Sequence, residues 1–281
     1  MSKIRLDAEK TPISHVIIVA LFAIGLVALP FDLIIKLFVN EERMVYYISQ
    51  ALPRIIFTVV AAIFVAKYKF NKIFSSFSFF GVLLILPALL VSINNAPIVG
   101  LISGSVTPNC DIGLVLAYLL YCISVGFFEE IVFRGIIFPL CLIMLKRVKN
   151  SVFWSVALSS AVFSISHIVN LFAGMSFLAV LLQLGYTFLI GSMCAISLVK
   201  SKNIFVPIFL HAVYDIGGLA LVNIGKSGGL FNGYQWDTLT IIITAVLGVI
   251  VFVYMLIILL KNNEKQTKEL FNIEDERDIT N

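Results

Sequence analysis

Charged residues are scarce in this 281-residue chain: they make up 13% of it, against 60% hydrophobic residues. The mean hydropathy is +1.04, and a soluble domain could not keep so much apolar surface away from water. We therefore expect an all-α, multi-pass helical bundle in a lipid bilayer, because spanning helices satisfy their own backbone hydrogen bonds. The small net charge of +4 is explained by membrane topology and contact with anionic lipid, so no nucleic-acid partner is expected.

Paired cysteine spacings are also absent, as is the HExxH sequence of many zinc proteases. The four cysteines are Cys110, Cys122, Cys141 and Cys194. Three of them lie within apolar runs, where a thiol packs as a small apolar group. Neither a disulfide framework nor a CxxC metal site is expected.

Long apolar runs are abundant, and eight are of a length to span a bilayer, which takes about 20 helical residues. The runs are residues 13–35, 45–66, 76–94, 112–145, 151–172, 176–199, 203–224 and 237–260. The fourth is too long for a perpendicular span and should tilt, bend or protrude, with Gly126, Gly135 and Pro139 as bending points. The sequence predicts one membrane domain over residues 1–260, with a polar, solvated cytosolic tail at 261–281.

Basic residues predict the orientation, because they are enriched on the cytosolic side. With the amino terminus inside, fifteen basic residues lie in inner segments and three in outer segments, which are Lys36, Arg43 and Lys226. An even number of spans then places both termini in the cytosol. We expect a multi-pass protein of the cell membrane.

Two adjacent glutamates interrupt the fourth run. A carboxylate in hydrocarbon costs at least ~3 kcal/mol, so Glu129 and Glu130 indicate a functional site. Arg134 lies four residues after Glu130, where helical geometry favours an ion pair. Neighbours on a helix point about 100° apart. We therefore expect Glu129 to face a reaction centre and Glu130 to pair with Arg134; a purely structural Glu–Arg pair would leave the second glutamate unexplained.

Two histidines lie deep in other runs. His167 and the glutamates are nearly equidistant from the turn around Val148, so an antiparallel hairpin places them at one depth. His167 is therefore expected to hold a water jointly with Glu129. His211 and Asp215 have an i, i+4 spacing, which suits two ligands of one metal or an aspartate that orients an imidazole. By residue count, however, His211 lies roughly 10 Å closer to the cytosol than His167.

Arg54 is another costly charge, in the second run after Pro53. We expect it to be an internal partner for Asp32 or another buried acid rather than a catalytic group. Asp32 can also pair with Lys36, which lies four residues further on.

Three motifs occur in order, each in its own apolar run: Glu-Glu-Ile-Val-Phe-Arg at 129–134, Phe-Ser-Ile-Ser-His at 163–167 and His-Ala-Val-Tyr-Asp at 211–215. They resemble the series EExxxR, FxxxH and HxxxN/D of the CPBP family of intramembrane proteases. That family includes the type II CAAX prenyl endopeptidases and Abi-like bacteriocin-processing or self-immunity proteins. The resemblance covers residues 112–224. The first three predicted spans and the tail of the chain carry no part of it.

The resemblance implies a peptidase in which Glu129 and His167 activate the reacting water. It implies that His211 and Asp215 stabilise the oxyanion or complete the site, and that Glu130 and Arg134 hold the geometry. Asp215 stands where many members have asparagine, and a carboxylate cannot donate a hydrogen bond unless it is protonated. Orientation of His211 or metal ligation is therefore a better role for Asp215 than direct contact with the oxyanion.

The sequence allows two alternatives for the mechanism, one with a zinc cofactor and one without a metal. Glu129, His167 and His211 would suit zinc with an open water position, whereas a glutamate–histidine pair can activate water without a metal. The metal-free alternative is slightly favoured.

The leading hypothesis is an endopeptidase acting on a membrane-associated or lipidated peptide or protein. One rival is a non-catalytic immunity or regulatory protein of the same family. Another is a proton-coupled transporter, which also uses buried Glu, His and Arg, although no repeated halves favour it. The sequence leaves the substrate and the oligomeric state open.

Overall fold

A computed structural model describes residues 12–27, 29, 31–172, 174–219, 230–232, 238–262 and 264–273, and most of them are helical. The helices are α1 (Pro12–Val27), α2 (Asp32–Ile35), α3 (Glu42–Lys67), α4 (Phe79–Asn94), α5 (Ile98–Ser103), α6 (Ile112–Val132), α7 (Phe138–Met144), α8 (Ser151–Ser166), α9 (Phe177–Ser201), α10 (Phe205–Gly218), α11 (Thr238–Leu260) and α12 (Glu264–Leu270). Segments of other geometry are two 3₁₀ turns (Asn71–Phe74 and His167–Leu171), a π-helical turn (Phe133–Ile137) and two short strands, β1 (Thr107–Pro108) and β2 (Phe231–Asn232).

The helical class predicted from composition is therefore confirmed. The strands add only one antiparallel ladder, which pairs Thr107 with Asn232 and Pro108 with Phe231. Each predicted apolar run contains one helix of at least 14 residues or, in the fourth run, the continuous segment α6, π turn and α7.

Five helical segments in the described part of the chain are long and apolar enough to cross a membrane. They are Glu42–Lys67, Ile112–Met144, Ser151–Leu171, Phe177–Ser201 and Ile242–Leu260. Helices α1, α4 and α10 are apolar but shorter, with 16, 16 and 14 residues. The count of eight spans and the cytosolic position of both termini stay predictions. Residues 1–11, with three of the basic residues used for orientation, and Lys226 lie outside the described residues.

Local sequence determines where several helices begin. Asp111 accepts a hydrogen bond from the Leu114 backbone N–H at 2.8 Å and so caps α6. Ser78 caps α4 through Gly81, and Ser176 caps α9 through Ala179, in the same way. Such caps satisfy backbone donors that the first helical turn leaves without partners.

The segment from α6 to α7 forms the centre of the bundle. Every residue from 130 to 143 is buried, and α6 packs against α3 on one side and α10 on another. Gly126 permits the approach of α10, because a Cβ there would lie 3.0 Å from the Ile208 carbonyl oxygen. By contrast, α11 exposes large apolar side chains along its length, as a lipid-facing helix does.

The predicted irregularity in the fourth run lies at the π turn, which contains Gly135. Here the Phe138 N–H bonds to the Phe133 carbonyl five residues back. Pro139 cannot donate a backbone hydrogen bond to the Gly135 carbonyl, so the α-helical pattern is already broken beside it. Single π turns of this kind are frequent at functional sites.

Part of the predicted solvated tail is instead packed on the bundle. Lys268, Leu270 and Phe271 are buried, and the Phe271 ring contacts those of Phe70 and Phe138. The Lys268 ammonium donates to the Lys146 carbonyl at 3.2 Å. The apolar residues between the tail charges give α12 a face to bury; residues 274–281 lie outside the described chain.

Candidate active site

A partly open cavity of about 560 Å³ lies between α1, α3, α6, the end of α8, α9 and α10. The side chains of Glu129, His167, His211 and Asp215 all line it. The structure thus brings to one cavity the four residues that the sequence singles out from three separate apolar runs. Most of the remaining lining is apolar or aromatic.

The adjacent glutamates have different surroundings. Glu130 is completely buried, and its Oε1 lies 2.9 Å from Nη1 of Arg134, which is the predicted i, i+4 ion pair. Glu129 keeps 17% of its side chain accessible and lines the cavity. One carboxylate is therefore committed to the protein interior, and the other is available to a molecule in the cavity.

His211 connects these two carboxylates. Its Nδ1 lies 2.7 Å from Oε1 of Glu130, so we assign the hydrogen of that bond to Nδ1. Its Nε2 then faces the cavity side, 3.7 Å from Glu129 Oε2 and 3.6 Å from Asp215 Oδ2. Glu130 therefore makes the hydrogen bond that orients the imidazole.

Asp215 does not make that orienting bond. The 3.6 Å separation from Nε2 exceeds hydrogen-bonding distance, and Oδ2 is buried without a hydrogen-bond partner among the described residues. The backbone around it is held instead, because Tyr118 donates its hydroxyl hydrogen to the carbonyls of Asp215 and Ile216.

His167 begins the 3₁₀ turn that ends α8, and its Nδ1 lies 3.0 Å from the Phe163 carbonyl oxygen. A carbonyl only accepts, so Nδ1 donates and Nε2 is left for the cavity. The Phe163 ring contacts both imidazoles, with centroids 5.0 Å from His167 and 6.0 Å from His211. The depth difference counted from the sequence therefore does not prevent the two histidines from sharing one cavity.

Sequence reasoning missed the support that α9 gives to Arg134. The guanidinium donates through Nη2 to the Gly191 carbonyl at 2.8 Å and lies 4.6 Å above the Phe163 ring. A Cβ at Gly191 would come within 2.9 Å of Phe163 and 3.2 Å of Arg134. A glycine in an apolar helix was the available signal, but only the packing shows what approaches it.

One group of ligand atoms in the described chain is close enough together to hold a metal ion. In the described chain that group is Glu130, Cys194 and His211, whose ligand atoms lie within 4.8 Å of one another. Oε1 of Glu130 is already shared between Arg134 and His211, and the neighbouring guanidinium would repel a cation. The predicted set Glu129, His167 and His211 does not form such a group within the described residues, although all three line the cavity.

Arg54 also lines this cavity, from α3. It does not contact Asp32, which is bound at the surface by Lys36 at 2.8 Å as the i, i+4 spacing predicts. Arg54 donates through Nη1 to the carbonyl and side-chain oxygens of Gln50, at 2.7 and 2.8 Å. The guanidinium lies 5.6 Å from the centroid of the Tyr121 ring. Its hydrogen-bonding partner is thus a neutral amide, while the buried acid whose charge it balances is Asp215, across the same cavity, rather than Asp32.

Comparison with known proteins bears on the part of the chain that builds this site. The family model described as type II CAAX prenyl endopeptidase Rce1-like matches residues 111–217, which contain all three motifs. No curated protein and no solved structure matches the chain. The family match confirms the resemblance to the CPBP family over this part of the chain.

Proposed function

We propose, on the premise of membership in the CPBP family, that this protein is an intramembrane endopeptidase in which Glu129 and His167 activate a water. Its substrate would be a membrane-associated or lipidated peptide or protein. The observation that carries the proposal is the single cavity that Glu129, His167, His211 and Asp215 line together. A carboxylate and an imidazole in one concave, largely apolar site are suited to general acid–base catalysis.

The Glu129 carboxylate would take a proton from water that His167 helps to hold. The water oxygen then bonds to the scissile carbonyl carbon, the C–N bond breaks, and Glu129 returns the proton to the leaving amine. The products are a carboxylic acid and an amine, which ionise to a carboxylate and an ammonium group, with no redox change. Glu129 suits this role because, unlike Glu130, it is not engaged by Arg134.

His211 would stabilise the oxyanion that forms during attack. Since Nδ1 donates to Glu130, the imidazolium form also carries a hydrogen on Nε2, which lies on the side of Glu129 and Asp215. A fixed donor that faces developing charge in a site of low dielectric constant lowers the barrier. Glu130, Arg134 and the Gly191 carbonyl would hold this donor in place.

The mechanism we propose uses no metal, because the one group of close ligand atoms in the described chain is occupied by its own ion pair and hydrogen bond. Chelator treatment should leave cleavage unchanged, and elemental analysis should find no stoichiometric zinc. Loss of cleavage on chelation that zinc restores would establish the alternative, with Glu129, His167 and His211 as its ligands.

The protein would act as a multi-pass protein of the cell membrane with both termini in the cytosol. Its substrate would be either a prenylated carboxyl-terminal peptide or a leader peptide such as that of a bacteriocin. The two are distinguished by offering both peptides to protein reconstituted in liposomes.

The decisive experiment compares wild type with Glu129→Gln and His167→Ala in that liposome assay. Each change should lower the cleavage rate by about 10²- to 10⁴-fold, the usual contribution of a general base, while thermal unfolding stays cooperative. Glu42→Gln is the matched control, because Glu42 is an exposed residue in the first turn of α3. Its activity should equal that of wild type.

Full cleavage by both variants would exclude this mechanism. Uptake driven by a proton gradient, lost in the same variants, would favour a transporter. A cellular phenotype that persists in Glu129→Gln would favour a non-catalytic immunity or regulatory protein.

A further inference from the structure

Asn170 lies on the same side of its 3₁₀ turn as His167. The turn spans His167–Leu171, and side chains three residues apart in a 3₁₀ helix eclipse each other. Both side chains line the cavity. At a rise of about 2.0 Å per residue, Asn170 is displaced from His167 by ~6 Å along the axis of the turn. The histidine that we assign to the reacting water therefore has a carboxamide as its neighbour on the cavity wall.

Helix α9 holds this carboxamide in one orientation. Gln183 also lines the cavity, and its Oε1 lies 2.8 Å from Nδ2 of Asn170, so we assign the hydrogen of that bond to Asn170. The backbone is fixed at the same point, because the Met175 N–H donates to the Asn170 carbonyl at 3.1 Å. Oδ1 of Asn170 has no hydrogen-bond partner among the described residues and keeps accessible surface. It is an oriented acceptor that a molecule in the cavity can reach.

A peptide that enters this cavity needs partners for its backbone. Most of the lining is apolar or aromatic, and a peptide N–H without a partner is costly away from water. Hydrolysis also requires an extended segment, because a helix keeps its carbonyl groups in internal hydrogen bonds. An extended chain rises about 3.3 Å per residue, so the ~6 Å between His167 and Asn170 corresponds to about two residues of such a chain.

We propose that Asn170, oriented by Gln183, accepts a hydrogen bond from a backbone N–H of the substrate about two residues from the cleaved bond. Asn170 thereby holds the peptide extended, with the scissile carbonyl beside Glu129 and His167. The contact recognises backbone rather than side chains, so it suits substrates of varied sequence that present an extended segment. This inference rests on the proposed peptidase function and adds how that site positions its substrate.

A purely structural role for the two amides is the alternative. The bond between Asn170 and Gln183 also ties the end of α8 to α9, as does the hydrogen bond from the Ser164 hydroxyl to the Leu184 carbonyl. In that case, removal of the Asn170 side chain would affect every form of the substrate equally. The two roles therefore differ in whether the effect depends on one backbone N–H of the peptide.

The test uses the prenylated peptide and the leader peptide of the liposome assay, with their backbone N–H groups replaced one at a time by ester oxygens. Wild type should lose about 2- to 10-fold in kcat/KM at one position, about two residues from the cleaved bond, which is the scale of a neutral hydrogen bond. Asn170→Ala should lose a similar factor on the all-amide peptide and should be insensitive to the ester at that position. Equal sensitivity of the two proteins to every ester overturns the inference.

Asn94→Ala is the matched control. Nδ2 of Asn94 donates to Oγ1 of Thr244 at 2.8 Å, so this variant loses the same kind of bond at the same length, but Asn94 does not line the cavity. It should cleave the all-amide and ester peptides with the same relative rates as wild type.

Two changes at Gln183 test the orienting role while Asn170 is kept. Gln183→Glu keeps an oxygen that accepts from Nδ2 of Asn170, so it should retain the sensitivity to the ester. Gln183→Met removes that acceptor and should reduce the sensitivity. Identical sensitivity in the two variants contradicts the orienting role of Gln183.

Binding of the same peptides to Glu129→Gln protein, followed by fluorescence anisotropy, keeps this inference separate from cleavage. An ester that weakens binding by about 2- to 10-fold when Asn170 is present, and not in the double variant with Asn170→Ala, supports the contact even if no peptide is hydrolysed. Esters that bind like amides at every position, or no binding of either peptide, overturn it. Normal cleavage by wild type together with that result would leave the peptidase function standing without this contact.

Discussion

Glu129 and Glu130 are consecutive residues, yet the two regions that they enter differ in exposure and in partners. Glu130 belongs to a closed network with Arg134, His211 and the Gly191 carbonyl, in which Glu130 and Arg134 are almost fully buried. Glu129 faces the cavity, where its carboxylate Oε2 is 3.7 Å from the nearest imidazole nitrogen of His211. One helical step of about 100° is enough to separate a structural carboxylate from a reactive one.

Removing a carboxylate from the closed network should have the largest effect on folding. Glu130→Ala leaves Arg134 as a buried charge without its partner, so we expect a loss of about 3–5 kcal/mol of stability and no cleavage. Glu129→Ala should change stability by less than about 1 kcal/mol, because its carboxylate has accessible surface and no ion pair with arginine. Thermal and denaturant unfolding in detergent measures both.

The comparison between the two glutamates fails if their stability effects are equal or reversed. A Glu130→Ala protein that unfolds like wild type but does not cleave would instead place Glu130 among the reacting groups.

Filling the space beside Arg134 should have the next largest effect. Gly191→Ala places a methyl group 2.9 Å from Phe163 and 3.2 Å from Arg134, so we expect about 1–3 kcal/mol of destabilisation together with reduced cleavage. Gly185→Ala in the same helix is the matched control, since nothing lies within 4 Å of its Cβ position. It should be neutral or stabilising by about 0.5–1 kcal/mol.

The stability of both variants is measured by unfolding, and their cleavage by the peptide assay. Equal behaviour of the two alanine variants would show that the close approach of α9 to Arg134 does not support the site.

On the cavity side, Asp215→Asn should have a smaller effect. Asp215 Oδ2 is 3.6 Å from His211 Nε2 and makes no hydrogen bond within the described chain, so the change removes no bond. An asparagine can donate from its amide, and we expect kcat to change by less than about tenfold, in either direction. A loss as large as that of Glu129→Gln would place the Asp215 carboxylate in the chemistry.

Contacts within one helix could be predicted from the sequence, and contacts between helices only in part. The Glu130–Arg134 and Asp32–Lys36 pairs follow directly from i, i+4 spacing. The hydrogen bond between Glu130 and His211 joins residues 81 positions apart. It depends on the approach of α6 to α10 at Gly126, which no periodicity reveals.

Two other differences between the predicted and the observed structure have similar causes. The sequence places Arg54 in the interior, but helix packing determines that it hydrogen-bonds Gln50, lies against Tyr121 and has Asp215 as the acid across the cavity. Charged residues outnumber apolar ones in the tail, but the spacing of the apolar residues lets Leu270 and Phe271 be buried together, with Lys268 buried beside them. Average composition hides such a face on a short segment.

The smallest effect is expected at Cys194, whose thiol lies beside Glu130 at the edge of the closed network. The Glu130, Cys194 and His211 atoms are close enough to hold a metal, yet Glu130 is already bound by Arg134 and His211. Cys194→Ala should therefore cost only about 1 kcal/mol through lost packing and should leave cleavage and zinc content unchanged. Unfolding, the peptide assay and elemental analysis measure the three quantities. If the alanine variant lost both a bound metal and its activity, the network would be a metal site, and the division between a structural and a reactive glutamate would no longer hold.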